Sequence, residues 1–143
     1  MRIRLKRKLK VDPTEYASTK KQNYQATEAQ AFFYNEDTFS EIANFNIEEI
    51  RDFPKQDNIS WLNLHGIQDT DKVISLAEKL QLHHLSIQDI FDIHQRPKFH
   101  EFEHYFYFNI KSKFIEEEND LSTEQISFVL GKGFLVSFQE KKR

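Results

Sequence analysis

The side chains with the means to do chemistry concentrate between Leu82 and Tyr105, in the run LHHLSIQDIFDIHQRPKFHEFEHY. His83 and His84 are adjacent, so on a helix their side chains diverge by about 100°. His100 and His104 would share a helix face at i, i+4. On a strand they would also share a face, but roughly 13 Å apart, too far to hold one ion. The alternation around them reads as a strand, so they read as ordinary packed or surface histidines rather than a zinc site. Asp89 stands between Ile87 and Ile90 as a lone carboxylate. A hard ion such as Mg²⁺ takes one or two carboxylates and further oxygen ligands. On residue chemistry alone, Asp89 reads as a solvent-facing helix position. The chain has no cysteine and three glycines, Gly66, Gly131 and Gly133, none of which opens a helix. Thiol nucleophiles and a phosphate-cradling loop are therefore both missing. No Ser–His constellation stands out, and the expectation is that the protein is not an enzyme.

The rest of the chain must position these groups. At 143 residues it suits one domain around one core. Hydrophobic residues at 38% and charged residues at 30% are a globular, soluble balance rather than a disordered one. Fourteen phenylalanines make aromatic burial the main source of core area. A net charge of −3 argues against a general nucleic-acid binder. No apolar run approaches the roughly 18 residues of a membrane span, and the basic start RIRLKRKLK has no apolar segment of a signal peptide. Residues 1–26 read as a basic and polar N-terminal segment, with Arg2 to Lys10 an edge strand or loose tail rather than a membrane contact.

From there the pattern predicts short strands at Ala31–Tyr34 and Phe39–Phe45, then a helix from Ile47 to Phe53, capped by Asn46 and ended by Pro54. A strand follows at Ile59–Leu64, then a helix at Asp71–Leu80 capped by Asp69 or Thr70. A second helix starts at His84 and stops at or before Gln95, because Pro97 disfavours helical geometry at Arg96. From Phe99 the period is two. It puts Phe102, His104, Phe106, Phe108, Ile110, Ser112 and Phe114 on a core face and Tyr105, Tyr107, Asn109, Lys111 and Lys113 opposite. Leu121–Leu130 returns, Gly131-Lys132-Gly133 turns, and Phe134–Gln139 closes the domain. The predicted class is α+β, an α/β/α sandwich with a mixed, largely antiparallel sheet and helices on both faces. Trp61, Leu76, Phe106, Phe108, Phe128 and Val136 are its expected core.

His83, Leu85, Asp89, Gln95-Arg96-Pro97-Lys98 and Tyr105, in that order, resemble the amino-terminal cytosolic domain of the CorA magnesium and cobalt transporters. Ile47-Glu48-Glu49, Trp61-Leu62-Asn63 with Gly66, Glu124-Gln125-Ile126-Ser127 and Phe138-Gln139-Glu140 extend the resemblance from about Ala31 to Lys141. It departs from the family pattern at His84, where the family has Pro, and at Gln88, where it has Glu. The Gly-Met-Asn loop that the family carries at its pore mouth is absent from this sequence, since the only Met is Met1.

The resemblance implies a domain over 27–143 that senses divalent cations at the cytoplasmic face of the cell membrane, within a homopentameric Mg²⁺/Co²⁺ transporter. It assigns Asp89 as half of a regulatory metal site, its partner carboxylate lying on a stalk helix outside this chain. Mg²⁺ is then both regulator and cargo, with Co²⁺ a second cargo. The chain reads as a fragment that contacts its own stalk and membrane segments, cannot transport alone, and is a monomer or weak dimer by itself. Two alternatives stand beside it. One is the cytosolic domain of a related zinc transporter. The other is a free-standing interaction or nucleic-acid-binding module that uses Arg2 to Lys10 as a basic arm.

Overall fold

A computed structural model of the chain describes residues 26–50, 53–54, 57–117 and 120–141. The basic run Arg2 to Lys10 and nearly all of the 1–26 segment lie outside the described residues. The elements run β1 (Glu28–Tyr34), β2 (Phe39–Ile42), a 3-10 turn (Ile47–Glu49), β3 (Ile59–His65), α1 (Thr70–Lys79) and α2 (His84–Phe91). They continue with β4 (Phe99–Glu101), β5 (Tyr105–Ile115), β6 (Leu121–Gly131) and β7 (Phe134–Gln139). The strands form one seven-stranded sheet in the order β2-β1-β3-β7-β6-β5-β4. Among the described residues only β3 and β7 pair parallel, and every other neighbouring pair is antiparallel. The fold class is the expected one, a mixed and largely antiparallel sheet in an α+β sandwich.

Local chemistry sets the element ends. Asp69 caps α1 by accepting the Lys72 N–H at 3.3 Å. His83 caps α2, its Nδ1 accepting the Leu85 N–H at 3.2 Å. A histidine thereby opens the helix where the sequence lacks a proline. Of the expected helix from Ile47 to Phe53, the described residues form a single 3-10 turn, and positions 51 and 52 lie outside the described residues. Asn46 caps it as predicted, but Ile50 has already left helical geometry at ψ 103°, and Phe53 precedes Pro54, which disfavours a helical continuation. Gly133, at φ +79°, makes the turn between β6 and β7 possible.

One expectation needs correction. The alternation from Phe99 onward is not a single strand. Phe102 N donates to Tyr105 O at 2.9 Å, closing a tight turn. That turn folds β4 back on β5, with Phe99 opposite Phe108 and Glu101 opposite Phe106. The helix-covered face is also the other one. Tyr105, Tyr107 and Asn109 are buried, whereas Phe106 is 38% exposed and Ile110 44% exposed. Of the six expected core residues, Leu76 and Val136 are fully buried, Trp61, Phe108 and Phe128 are half-buried, and Phe106 is exposed.

The register explains this. Ala31, Leu62, Val136, Val129 and Tyr107 lie side by side across five strands. All five belong to a single buried cluster with Val73, Leu76 and Ala77 of α1 and Ile90 of α2. The described helices therefore cover this face. The opposite face carries its own aromatic stripe: Phe32 stacks on Trp61 at 4.9 Å, Phe108 on Phe128 at 4.8 Å and Phe99 on Phe106 at 5.5 Å. Period-two reading separates the two faces correctly, but both are apolar. Counting phenylalanines then selects the wrong one as the face under α1 and α2.

Candidate functional site

Asp89 lies in the last turn of α2. Ser86 and Ile90 point into the core and fix the helix's rotation, which leaves the Asp89 side chain 17% exposed at the rim. Its Oδ1 meets the Lys98 Nζ at 2.7 Å, and the Lys98 side chain is 32% exposed. Lys98 is itself held by Asn109 of β5. Asn109 N donates to Lys98 O at 3.1 Å, and Lys98 N donates to Asn109 Oδ1 at 3.3 Å. Gln95 Nε2 donates to the backbone carbonyl of Asp89. The Gln-Arg-Pro-Lys loop is thus fastened to one residue twice, at its main chain by Gln95 and at its side chain by Lys98.

A polar network continues beneath the helix end. Gln125 Nε2 donates to the Asp89 carbonyl at 3.1 Å, satisfying an acceptor that the end of a helix leaves free. Lys111 donates to Gln125 Oε1 at 3.2 Å and to the Ile93 carbonyl. Asn109 Nδ2 donates to the Tyr107 hydroxyl at 3.1 Å, and that hydroxyl lies 3.1 Å from Ser127 Oγ. Burial pushes the Tyr107 phenol above its ordinary 10.0, and the nearby Asp89 charge adds to the rise, against hydrogen bonds from Ser127, Asn109 and Gln95 that lower it. The Tyr107 phenol thus shares one polar network with the side chains of Asp89, Lys98, Lys111 and Gln125.

Measured against what a metal site needs, this arrangement is incomplete. Mg²⁺ asks for carboxylate and other oxygen ligands in near-octahedral array, and the described residues bring no three His, Cys, Asp or Glu side chains together. Asp89 is one suitable hard oxygen donor, already shared with an ammonium group. The histidines do not converge on an ion. His83 lies against His84 at 4.2 Å and Phe102 at 5.5 Å between ring centres, and His100 lies 6.3 Å from Phe102, a stack of aromatic faces. His100 is on β4 and His104 in the turn after it.

Sequence reasoning found Asp89 and the Gln-Arg-Pro-Lys run but not their connection. It also missed Asn109, Lys111 and Gln125. Their signal lay on the face opposite the expected core, where Asn109, Lys111 and Lys113 recur at every second position. Cross-strand register joins Asn109 to Ser127 and Lys111 to Gln125.

The family profile described as CorA-like Mg²⁺ transporter protein matches residues 56–143. The chain is 37% identical over 121 residues to the cobalt/magnesium transport protein CorA of Thermotoga maritima, covering 76% of this chain and 34% of that protein. It thus spans about a third of the length of that curated relative. Its fold is similar to the complete CorA magnesium transporter of Methanocaldococcus jannaschii, with a TM-score of 0.56 at 15% identity over 80% of this chain and 33% of that one. It is also similar to the ZntB cytoplasmic domain of Vibrio parahaemolyticus, with a TM-score of 0.59 at 14% identity over 80% and 44% of the respective chains.

Proposed function

The chain belongs to the CorA-like Mg²⁺ transporter family, and from that premise we propose that residues 27–143 are the cytosolic, divalent-cation-responsive domain of a Mg²⁺/Co²⁺ transporter. The family is one of transport proteins, not enzymes. The observation that carries the finer reading is the placement of Asp89. Its backbone is locked by Gln95 and Gln125, while its carboxylate stays at the rim, 17% exposed.

In this reading Asp89 supplies one ligand to an ion bridging neighbouring subunits of a homopentamer. A second carboxylate comes from a stalk segment outside residues 1–143. With the ion bound, its charge offsets the repulsion between the carboxylates; without it, they push the subunits apart. Metal occupancy and subunit arrangement are then coupled in both directions. This chain's own part is to hold a carboxylate rigidly at the interface. Transport, membrane attachment and Mg²⁺ or Co²⁺ as cargo belong to the longer protein, and the 143-residue chain alone is a monomer or weak dimer. The second apolar face of the sheet supports the same reading, because a sheet apolar on both sides is built to be covered on both.

Among the described residues no helix is long and apolar enough to cross a membrane. The fold likeness to a ZntB cytoplasmic domain means that architecture does not separate a Mg²⁺/Co²⁺ transporter from a zinc-transporting relative. Metal preference does. The test is the melting temperature of the stalk-containing protein against Mg²⁺, Co²⁺ and Zn²⁺. At ten times its dissociation constant the regulatory ion adds roughly 1.4 kcal/mol per site, and Asp89→Asn removes most of that gain. An undiminished gain in Asp89→Asn overturns the assignment.

A further inference from the structure

We infer that Lys98 is the resident counter-ion of Asp89 and sets how strongly a divalent cation is bound there, by having to be displaced. This rests on the reading of Asp89 as a metal ligand and adds a competitor within the same chain. Three observations carry it. The ammonium already sits 2.7 Å from Oδ1, where a cation would approach. The lysine is delivered by a fixed backbone, clamped on both sides by Asn109 and followed back to Asp89 through Gln95. Its side chain is nevertheless 32% exposed, so the ammonium has water to move into.

The exchange requires little of the fold. Lysine carries a point charge on a flexible stem rather than the rigid two-pronged contact of arginine, so one side chain can swing away while the loop backbone stays in place. A divalent ion gains more from the carboxylate than a single positive charge does, whereas a monovalent ion at the same distance gains no more than the ammonium it replaces. The pair therefore makes Asp89 respond to divalent cations against a background of monovalent salt. It also weakens the site, which suits an ion that is sensed at high concentration.

The experiment titrates Mg²⁺, and Co²⁺ as a paramagnetic probe, into the stalk-containing protein and follows the α2 amide signals by NMR. Lys98→Met keeps the stem and removes the charge. It is expected to lower the midpoint at least about fivefold, given what a partly exposed ion pair contributes and the repulsion removed. Adding Asp89→Asn to Lys98→Met is expected to abolish that gain. A Lys98→Met chain no more responsive than wild type overturns the role of Lys98. If, in the same case, Asp89→Asn still removes the response of the stalk-containing protein, the metal reading survives alone. A gain in Lys98→Met that persists when Asp89 is also changed sinks both. Should Lys98→Met fail to fold, the wild-type side-chain signals decide. The Lys98 methylene next to Nζ is expected to shift at the same midpoint as the Asp89 carboxyl carbon, and a Lys98 signal unmoved while Asp89 shifts overturns the inference.

Discussion

The hydroxyls of Tyr105 and Ser86 lie 2.7 Å apart, both residues buried, and the same Tyr105 oxygen accepts the His83 N–H at 2.9 Å. One side chain of β5 thereby fixes both the start of α2 and its first buried turn. The Tyr105 ring also stacks on Phe102 at 4.7 Å, tying in the turn after β4. Tyr105→Phe keeps the ring and removes the oxygen. It should cost about 1–3 kcal/mol, since Ser86 and the His83 N–H lose a partner in a poorly solvated place. Ser86→Ala in the Tyr105→Phe background should cost less than Ser86→Ala alone, by a coupling of about 0.5 kcal/mol or more. Urea denaturation of the four proteins checks it; strictly additive costs would show that the two hydroxyls act independently.

Alkaline pH tests the Tyr107 environment. Its phenol is raised above 10.0, mainly by burial, so the folded chain holds that proton more tightly than the unfolded chain does. Such a group stabilises the fold fully below 10.0, and that contribution fades as pH rises through the folded value. Stability should therefore fall as pH climbs past 10.0, and fall less steeply in Tyr107→Phe. The readout is the denaturation midpoint at several pH values for both proteins. Parallel decline in the two would remove Tyr107 from the explanation.

How much of this was legible in the sequence depends on the physics of each feature. Caps and breakers act over three or four residues, so Asn46, Asp69 and Pro97 were readable where they stand. The last two strands were readable because Gly131-Lys132-Gly133 has one ready conformation, a turn. What failed was the choice between two apolar faces. Tyr107 and Val129 are buried under the helices while Phe106 and Leu130 are exposed, and nothing local distinguishes a phenylalanine facing helices from one facing away. The Asp89–Lys98 pair was out of reach for a related reason. Nine positions and a proline-broken loop separate the two, and their meeting depends on Asn109, which β5 supplies from eleven positions further along. The parallel pairing of β3 with β7 likewise joins residues more than seventy positions apart.

The two faces should respond differently to mutation. Leu76 is fully buried in the cluster under the helices, and Leu76→Ala should cost about 2–5 kcal/mol. Phe106 is 38% exposed on the other face, and Phe106→Ser should change the stability of the 143-residue chain by no more than about 1 kcal/mol. The same substitution should reduce self-association in light scattering, because it interrupts an exposed aromatic stripe. Equal destabilisation by the two changes would mean that the Phe106 face is covered in solution.

Gln88→Glu separates a metal-binding α2 from a merely polar one. Gln88 is half-buried next to Asp89 in the last turn of the helix, and its carbonyl accepts the Asp92 N–H at 3.0 Å. A new carboxylate there sits near the negative end of the helix dipole and beside a like charge, which should destabilise the metal-free protein by about 0.3–1 kcal/mol. Lys98 already faces Asp89 at 2.7 Å and so does little to offset the second charge. A bound dication reverses the sign. A second negative charge close to the ion then attracts it, even though neighbouring helix positions diverge, and an affinity gain of about tenfold corresponds to roughly 1.4 kcal/mol. In the stalk-containing protein, Gln88→Glu should therefore melt below wild type in chelator and at or above it in saturating Mg²⁺. A pure surface-charge effect predicts something else: ordinary salt would narrow the difference as well as Mg²⁺ does at matched ionic strength. Melting curves in chelator, in Mg²⁺ and in matched NaCl distinguish the two. If NaCl restores Gln88→Glu as fully as Mg²⁺, no divalent ion is held at this end of α2.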